Sequence, residues 1–376
     1  MAARIGSRAT GFDFSWSLVD YPSHMSGRDY DAIIVGASFA GLAVARRLPG
    51  RVLLLDRHEV GAVQTSACGT PLWVPQALGV ANSVLQVHDK LTVRAPTRSV
   101  TYDLSAVPFC TFDYRRFCEG LLEQTRARFL RASVTGLEDG AVRTSDGRFT
   151  APIIVDCSGW RGALVNDGAP ASPGQGHFSF GLETKTDLSD DGLSFLLDGR
   201  LIPRGLGWVF PVGKGSLIGL GSYVGLSKLK PALERFLRDR GAVGTTYHGT
   251  YFPNRLFRPT VGRLFAVGDA AGQCLPLTAE GIRPALYFGV ECGRIIGQIF
   301  EGRLGIAEGL ERYRVLVERY RHAYRILRVA QWVCERTPTA WFVALTGLAG
   351  RRPVLPRWWP RYGWFGRFDP DPAVLA

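Results

Sequence analysis

Lysine is scarce in this 376-residue chain, with five Lys against 40 Arg, and methionine occurs only at Met1 and Met25. No apolar run reaches the ~20 residues that a membrane-spanning helix needs; residues 339–350 come nearest, which excludes an integral helical membrane protein. A secretory signal is not expected, because Asp13 and Asp20 fall where its apolar core would lie. The seven cysteines (Cys68, Cys110, Cys118, Cys157, Cys274, Cys292 and Cys334) are odd in number, scattered and without a C-x-x-C pair. They exclude a disulfide scaffold and a legible zinc site, and fit reduced thiols in a cytoplasmic protein. The six histidines form no Ser-His-Asp pattern and no metal-ligand spacing.

What remains is globular in composition, with 46% hydrophobic and 21% charged residues and an unusual 45 Gly. The length suits one large domain or two interleaved ones. Residues 1–28 read as a disordered extension, with Met25 as an alternative start just ahead of the first apolar strand. The net charge of +12 is concentrated late: residues 311–376 carry 12 Arg against five acidic residues. Such a tail fits either a polyanionic surface or a solvated helix face.

Tyr30-Asp31-Ala32-Ile33-Ile34-Val35 reads as a strand, Gly36-Ala37-Ser38-Phe39-Ala40-Gly41 as a tight turn, and Leu42–Leu48 as a helix that Pro49-Gly50 stops. Arg51–Asp56 is a second parallel strand with an acid at its end, followed by Arg57. Each part suits a dinucleotide. Gly36 makes the turn, the small Ser38 admits the pyrophosphate, Gly41 lets helix and strand pack, and Asp56 accepts from the adenosine ribose. The acid favours FAD or NAD over NADP.

Gly262–Gly272 is another strand closing in Gly268-Asp269, and Pro276 and Glu280-Gly281-Ile282 open a helix running to about Phe300. With Gly36–Gly41, these residues resemble the two FAD motifs of the flavoprotein superfamily containing geranylgeranyl reductases and para-hydroxybenzoate-hydroxylase-like monooxygenases. The resemblance covers residues 29–300. It implies that Asp269 holds the ribityl chain and that the helix at Gly281 directs its dipole at the flavin, where it would stabilise the reduced anion. Ile153–Arg161, with Asp156 and Gly159, is similar to the family strand passing FAD and reductant. Tyr114 stands where the family usually has Arg.

The fold class expected is α/β: an interrupted Rossmann-type FAD-binding domain (29–83, 108–165 and 256–305) with an antiparallel β-sheet substrate domain (84–107 and 166–255) and a C-terminal helical region (306–376). Ala132–Asp156 reads as a meander with turns at Asp139-Gly140 and Asp146-Gly147. Gly207-Trp208-Val209-Phe210-Pro211 is similar to the Trp-x-Phe-Pro stretch of geranylgeranyl reductases, where the aromatics wall the substrate cavity; as residues alone, Trp208 and Phe210 equally suit a sheet core. Cys68 occupies the place of a family cysteine beside the isoalloxazine, and a protonated thiol there would deliver a proton opposite the hydride; an inert buried cysteine is the alternative.

No second dinucleotide motif follows a strand, so the external reductant is NAD(P)H docking transiently or ferredoxin. The leading function is FAD-dependent reduction of C=C bonds in a prenyl or polyprenyl substrate. The alternatives are an aromatic monooxygenase and a lycopene-cyclase-like isomerase, the latter needing an acid in the cavity, for which Glu183 or Glu280 serves. From Glu308 the helical spacing of Leu310, Tyr313, Leu316, Val317, Tyr320, Tyr324, Leu327 and Ala330 predicts one long amphipathic helix. The following Trp/Arg-rich tail suits either peripheral contact with the inner face of the membrane or a flap over the cavity; no nucleic acid partner is expected.

Overall fold

The computed structural model describes residues 29–46, 48–166, 176–337, 362 and 366–367. The extension at 1–28 and the tail tryptophans Trp341, Trp358, Trp359 and Trp364 lie outside these residues. Seven helices are described: α1 (Phe39–Ala45), α2 (Trp73–Ala77), α3 (Tyr114–Leu122), α4 (Lys230–Arg238), α5 (Ile282–Phe300), α6 (Ile306–Glu318) and α7 (Arg321–Arg336).

The sequence runs Ala32–Val35, Val52–Asp56 and Ile153–Asp156 are almost wholly apolar because they form the buried centre of a largely parallel sheet. Its order is Thr260–Val261, Leu264–Ala266, Ile153–Asp156, Ala32–Val35, Val52–Asp56 and Arg128–Arg131. Alternate residues divide between two cores. Ala32, Ile34, Leu54, Ile153 and Val155 face α1 and α5, while Ile33, Leu53, Leu55 and Ile154 face the meander Val134–Glu138, Ala141–Thr144, Gly147–Thr150. Helix α5 lies directly against α1: a Cβ on Gly289 would sit 2.8 Å from the Ala40 carbonyl and one on Gly293 2.7 Å from that of Val44.

A seven-stranded sheet stands beside this unit in the order Tyr247–Pro253, Phe178–Thr186, Ser216–Ser222, Gly205–Pro211, Leu193–Leu196, Lys90–Ala95 and Arg98–Asp103. Two details depart from the antiparallel sheet expected. Leu193–Leu196 pairs parallel with Lys90–Ala95, as two distant stretches of chain can when no hairpin dictates their sense. Val84–His88 leaves the sheet to pair with Phe109–Phe112 in a small three-stranded one. Val209, Ile218 and Leu220 pack on Leu233, Phe236 and Leu237 around α4, so the residues between them on each strand point the other way.

The long C-terminal helix is two. The chain turns at Arg319–Tyr320, where the Tyr320 N–H bonds back only three residues to Val317 and its phenol donates to the Tyr287 hydroxyl at 2.8 Å. The break brings buried Tyr313 and Tyr324 over one loop, donating to the carbonyls of Ala266 and Gln273 at 3.1 and 2.6 Å. Several arginines are paired locally, Arg312 with Glu308 and Arg314 with Glu311 along α6, and Arg321 with Glu318 across the break. No helix among the described residues is long and apolar enough to cross a membrane.

Candidate functional site

The ends of the parallel strands and the inner face of the seven-stranded sheet enclose one cavity of about 930 Å³. That is near the top of the roughly 300–1,000 Å³ range of ligand sites. At one end, the first strand closes in Gly36, whose φ of +106° and 2.2 Å spacing from a would-be Cβ to the Cys157 carbonyl exclude any side chain. A Cβ on Gly41 would lie 1.8 Å from the Gly36 carbonyl, so α1 starts in contact with the strand end. Ser38, Phe39 and Ala40 face the cavity across this turn. Asp56 and Arg57 line it too, with the Asp56 carboxylate accepting from the N–H groups of Ala37 and His58 at 2.8 and 2.9 Å. The Ser38 hydroxyl is 3.0 Å from the phenol of Tyr114, so the neutral tyrosine in place of an arginine joins the wall through a hydrogen bond.

Asp156 has a different task from the one its motif suggested. It is buried, and its oxygens accept from the Ser158 N–H and hydroxyl and from the N–H groups of Leu164 and Val165, at 2.6–3.0 Å. It does not line the cavity; it fixes the turn whose Gly159 and Arg161 do.

Adjoining the first turn, with a Cβ on Gly268 only 3.0 Å from that of Ala40, residues Gly268, Asp269, Gly281 and Ile282 form a second wall at the start of α5. The Asp269 carboxylate accepts no hydrogen bond among the described residues, and burial pushes it up to about 7. A half-buried acceptor on the cavity wall without a donor is what a hydroxyl-rich ligand would complete. Between them the loop is strained, with Leu277 and Ala279 at φ +69° and +55°. It is pinned by the Tyr223 hydroxyl on the Leu277 carbonyl (2.8 Å) and by Gln331 of α7 on the Leu277 N–H (2.9 Å). Pro276 belongs to this loop but does not reach the cavity.

Glu280 and Gly281 lead into a cluster that sequence did not foretell. Arg283 is fully buried and donates to both Glu280 oxygens at 2.7 Å and to the Tyr362 carbonyl at 2.5 Å, while the Tyr362 phenol donates to Glu280 at 2.5 Å. Burial opposes the arginine's charge, but Glu280 and Tyr362 outweigh it and raise its pKa. Tyr362 is thereby held as part of the cavity wall, bringing one point of the C-terminal tail over it.

The sheet side supplies an apolar floor. Trp208 lies across Gly219, where a Cβ would be 2.2 Å from the indole, and against Gly221 and Gly181 at 3.4 and 3.6 Å. The alternating glycines of Leu217-Ile218-Gly219-Leu220-Gly221 thus make room for one flat ring. Phe210 stacks edge-on with Phe195 at 5.8 Å and touches the backbone at Gly69. The indole N–H reaches Glu183 at 2.5 Å; Glu183 is 2% exposed, and His248 Nε2 and the Gln64 amide stand 3.1 and 3.4 Å from its other oxygen. Burial raises the Glu183 carboxyl above the usual carboxylate range. Gln64 and His248 carry no sequence signal: strand register pairs Glu183 with His248, and loop placement brings Gln64 to the same oxygen.

Cys68 does not belong to the wall. Ala67 and Gly69 line the cavity, but Cys68, at φ +53°, turns into the core with no exposure, its thiol directed to the Ser66 carbonyl at 3.3 Å. Burial and nearby Glu183 raise its pKa well above the ordinary thiol value. This placement is that of the inert buried cysteine, the alternative the sequence also allowed, and gives the proton-donor role no support. Cys68→Ala is expected to leave the ligand's bound spectrum and the turnover rate within about twofold of the parent, measured by absorbance and steady-state kinetics, since an inert buried thiol contributes packing only.

No protein-family model matches the chain. A stretch of 148 residues is 32% identical to digeranylgeranylglycerophospholipid reductase 2 of Methanothermobacter thermautotrophicus, covering 37% of this chain and 36% of the relative. The corresponding reductase of Methanocaldococcus jannaschii is 30% identical over 126 residues, 31% of each chain. The chain thus spans about a third of the length of these curated relatives. In fold, the whole described unit is similar to a geranylgeranyl bacteriochlorophyll reductase-like protein from Thermoplasma acidophilum, with a TM-score of 0.75 at 18% identity over 92% of this chain and 97% of that one. A probable FAD-dependent monooxygenase from Pseudomonas aeruginosa matches with a TM-score of 0.63 at 16% identity, over 81% and 96% of the two chains.

Proposed function

We propose that this chain, which has the fold of the FAD-dependent oxidoreductase superfamily that includes geranylgeranyl reductases, binds FAD and reduces C=C bonds of a prenyl or polyprenyl lipid. The observation that carries the reading is one cavity with two different ends. One end is a dinucleotide cradle: Gly36 and Gly41 with the α1 start, Asp56 for a ribose, and the unpartnered Asp269 for a ribityl hydroxyl. The other is a flat aromatic floor, Trp208 and Phe210, suited to an isoprenoid chain. FAD, when bound, would supply a two-electron hydride-donating centre. Gly281 and Ile282 place the start of α5 on the wall beside Asp269, where the positive end of the helix dipole favours negative charge on a ligand. Trp208, Phe210 and Tyr362 exclude water around an apolar guest.

The test is anaerobic. Protein loaded with FAD is photoreduced and mixed with digeranylgeranylglycerophospholipid, and the flavin band is followed. Reoxidation with saturation of the lipid is expected. Flavin that stays reduced until oxygen is admitted, with oxygen consumption stimulated by a phenol, would establish the monooxygenase instead. The isomerase reading has its required acid in Glu183 rather than in Glu280, which Arg283 occupies; rearranged carotene with flavin still reduced would establish that reading. NAD(P)H and ferredoxin are the reductants to compare.

A further inference from the structure

Strand register lays five residues in a row across the inner face of the seven-stranded sheet: His248, Glu183, Gly219, Trp208 and Phe195. The row runs from the edge strand Tyr247–Pro253 into the cavity. His248, at the edge, keeps 23% of its side-chain surface exposed, whereas the Glu183 side chain keeps 3%. Glu183, Trp208 and His248 all face the cavity. A buried carboxylate facing an apolar guest is costly unless protonated or paired, and the groups around Glu183 include no Lys or Arg partner among the described residues. From its own sheet it meets His248 and Trp208, from the loop before Gly69 it meets Gln64, and the neutral thiol of Cys68 lies in the core behind.

We infer that Glu183 is the acid that protonates the substrate carbon, with His248 as the group that returns a proton to it from outside. The inference rests on the reductase reading. Reduction of an alkene needs two electrons, which reduced flavin supplies as a hydride that bonds to one carbon, and a proton that bonds to the other as the π bond is lost. Glu183 gives up that proton from the oxygen beside His248, and the carboxylate left behind is stabilised by the Trp208 N–H and the Gln64 amide. His248 then passes a solvent proton inward and the acid is restored. Trp208 has two tasks, one for each part of its ring: its face supports the apolar chain and its N–H fixes the acid. Gly219 permits both, because any side chain there would lift the indole off the sheet.

The first measurement needs no substrate. Infrared difference spectra of the FAD-loaded protein against Glu183→Gln at neutral pH are expected to contain a protonated-carboxyl band assigned to Glu183 that weakens as the pH is raised. Absence of that band at neutral pH would overturn the assignment. The second uses photoreduced protein and digeranylgeranylglycerophospholipid in single turnover. Glu183→Gln keeps the shape of the side chain and, by its flavin spectrum, the fold; reoxidation is expected to slow by about 100-fold or more, as for loss of a general acid. His248→Asn is expected to slow the steady state more than the first turnover. A Glu183→Gln rate equal to that of the parent would sink the acid role while leaving the reductase reading standing. If the parent itself fails to reoxidise with the lipid, the reductase reading fails, and the protonation step with it, whatever the infrared band shows.

Discussion

Protein carrying Asp269→Ala is expected to purify without flavin, while the parent retains it. The carboxylate lines the cavity at that wall and accepts no hydrogen bond among the described residues, so its substitution removes the acceptor proposed for the ribityl chain. Absorbance and released-flavin assays check this, and full FAD occupancy in the variant would refute the assignment of this wall. The same group makes the apoprotein sensitive to pH. Burial raises the carboxyl from its ordinary 3.8 to about 7, so between those values the folded chain holds a proton that the unfolded chain has lost. Stability is therefore greatest below the lower value and declines as the pH rises toward 7, by up to about 4 kcal/mol at 1.36 kcal/mol per unit. Urea unfolding of the apoprotein at several pH values should show this decline, and Asp269→Asn should remove it. FAD should remove it too, by giving the ionised carboxylate a donor.

Arg283→Met should cost about 3–5 kcal/mol of folding stability, the usual penalty for leaving one member of a buried ion pair alone. The arginine is without exposure and satisfies both oxygens of Glu280 as well as the Tyr362 carbonyl. The informative comparison is the double variant with Glu280→Gln, which removes the orphaned charge and should recover much of the loss. Denaturant melts of the parent, both single variants and the double variant measure the coupling; strict additivity would mean that the pair does not act as a unit. Because Tyr362 is fastened to this cluster, the single variant should also loosen the cavity wall and weaken lipid binding.

The parts of the fold legible in sequence are those dictated by local sterics and periodicity. Continuous apolar runs gave the parallel strands, and Gly41 is required by a contact with the nearby Gly36 carbonyl, whereas Gly36 answers both to its own positive φ and to the distant Cys157 carbonyl. The break at Arg319–Tyr320 was not legible because each half keeps its helical spacing, and only the tertiary pull on Tyr320 decides where the axis turns. An acid at a strand end looks the same whether it faces a cavity or binds its own turn; Asp56 lines the cavity while accepting from two backbone N–H groups, and Asp156 spends its oxygens on the turn alone. Which way Cys68 points depends on one residue of backbone direction, which sequence does not fix: its neighbours on both sides line the cavity and it does not. His248 and Gln64 were invisible for a simpler reason: they are far from Glu183 in sequence and meet it only through register and loop placement.

The close contact of α1 with α5 also bears on how the chain is made. The turn at Gly36 leaves the ribosome early, but the helix that covers its sheet begins at Ile282, and Asp269, the acid proposed to complete the cradle, comes only shortly before it. Until those residues emerge, the apolar face carrying Ile34, Leu54 and Val155 has no partner in α5, so nascent chains must wait in a sticky, incompletely folded state. Under the proposed function, flavin capture is then a late event, and growing chains stalled before Ile282 should bind chaperones rather than cofactor.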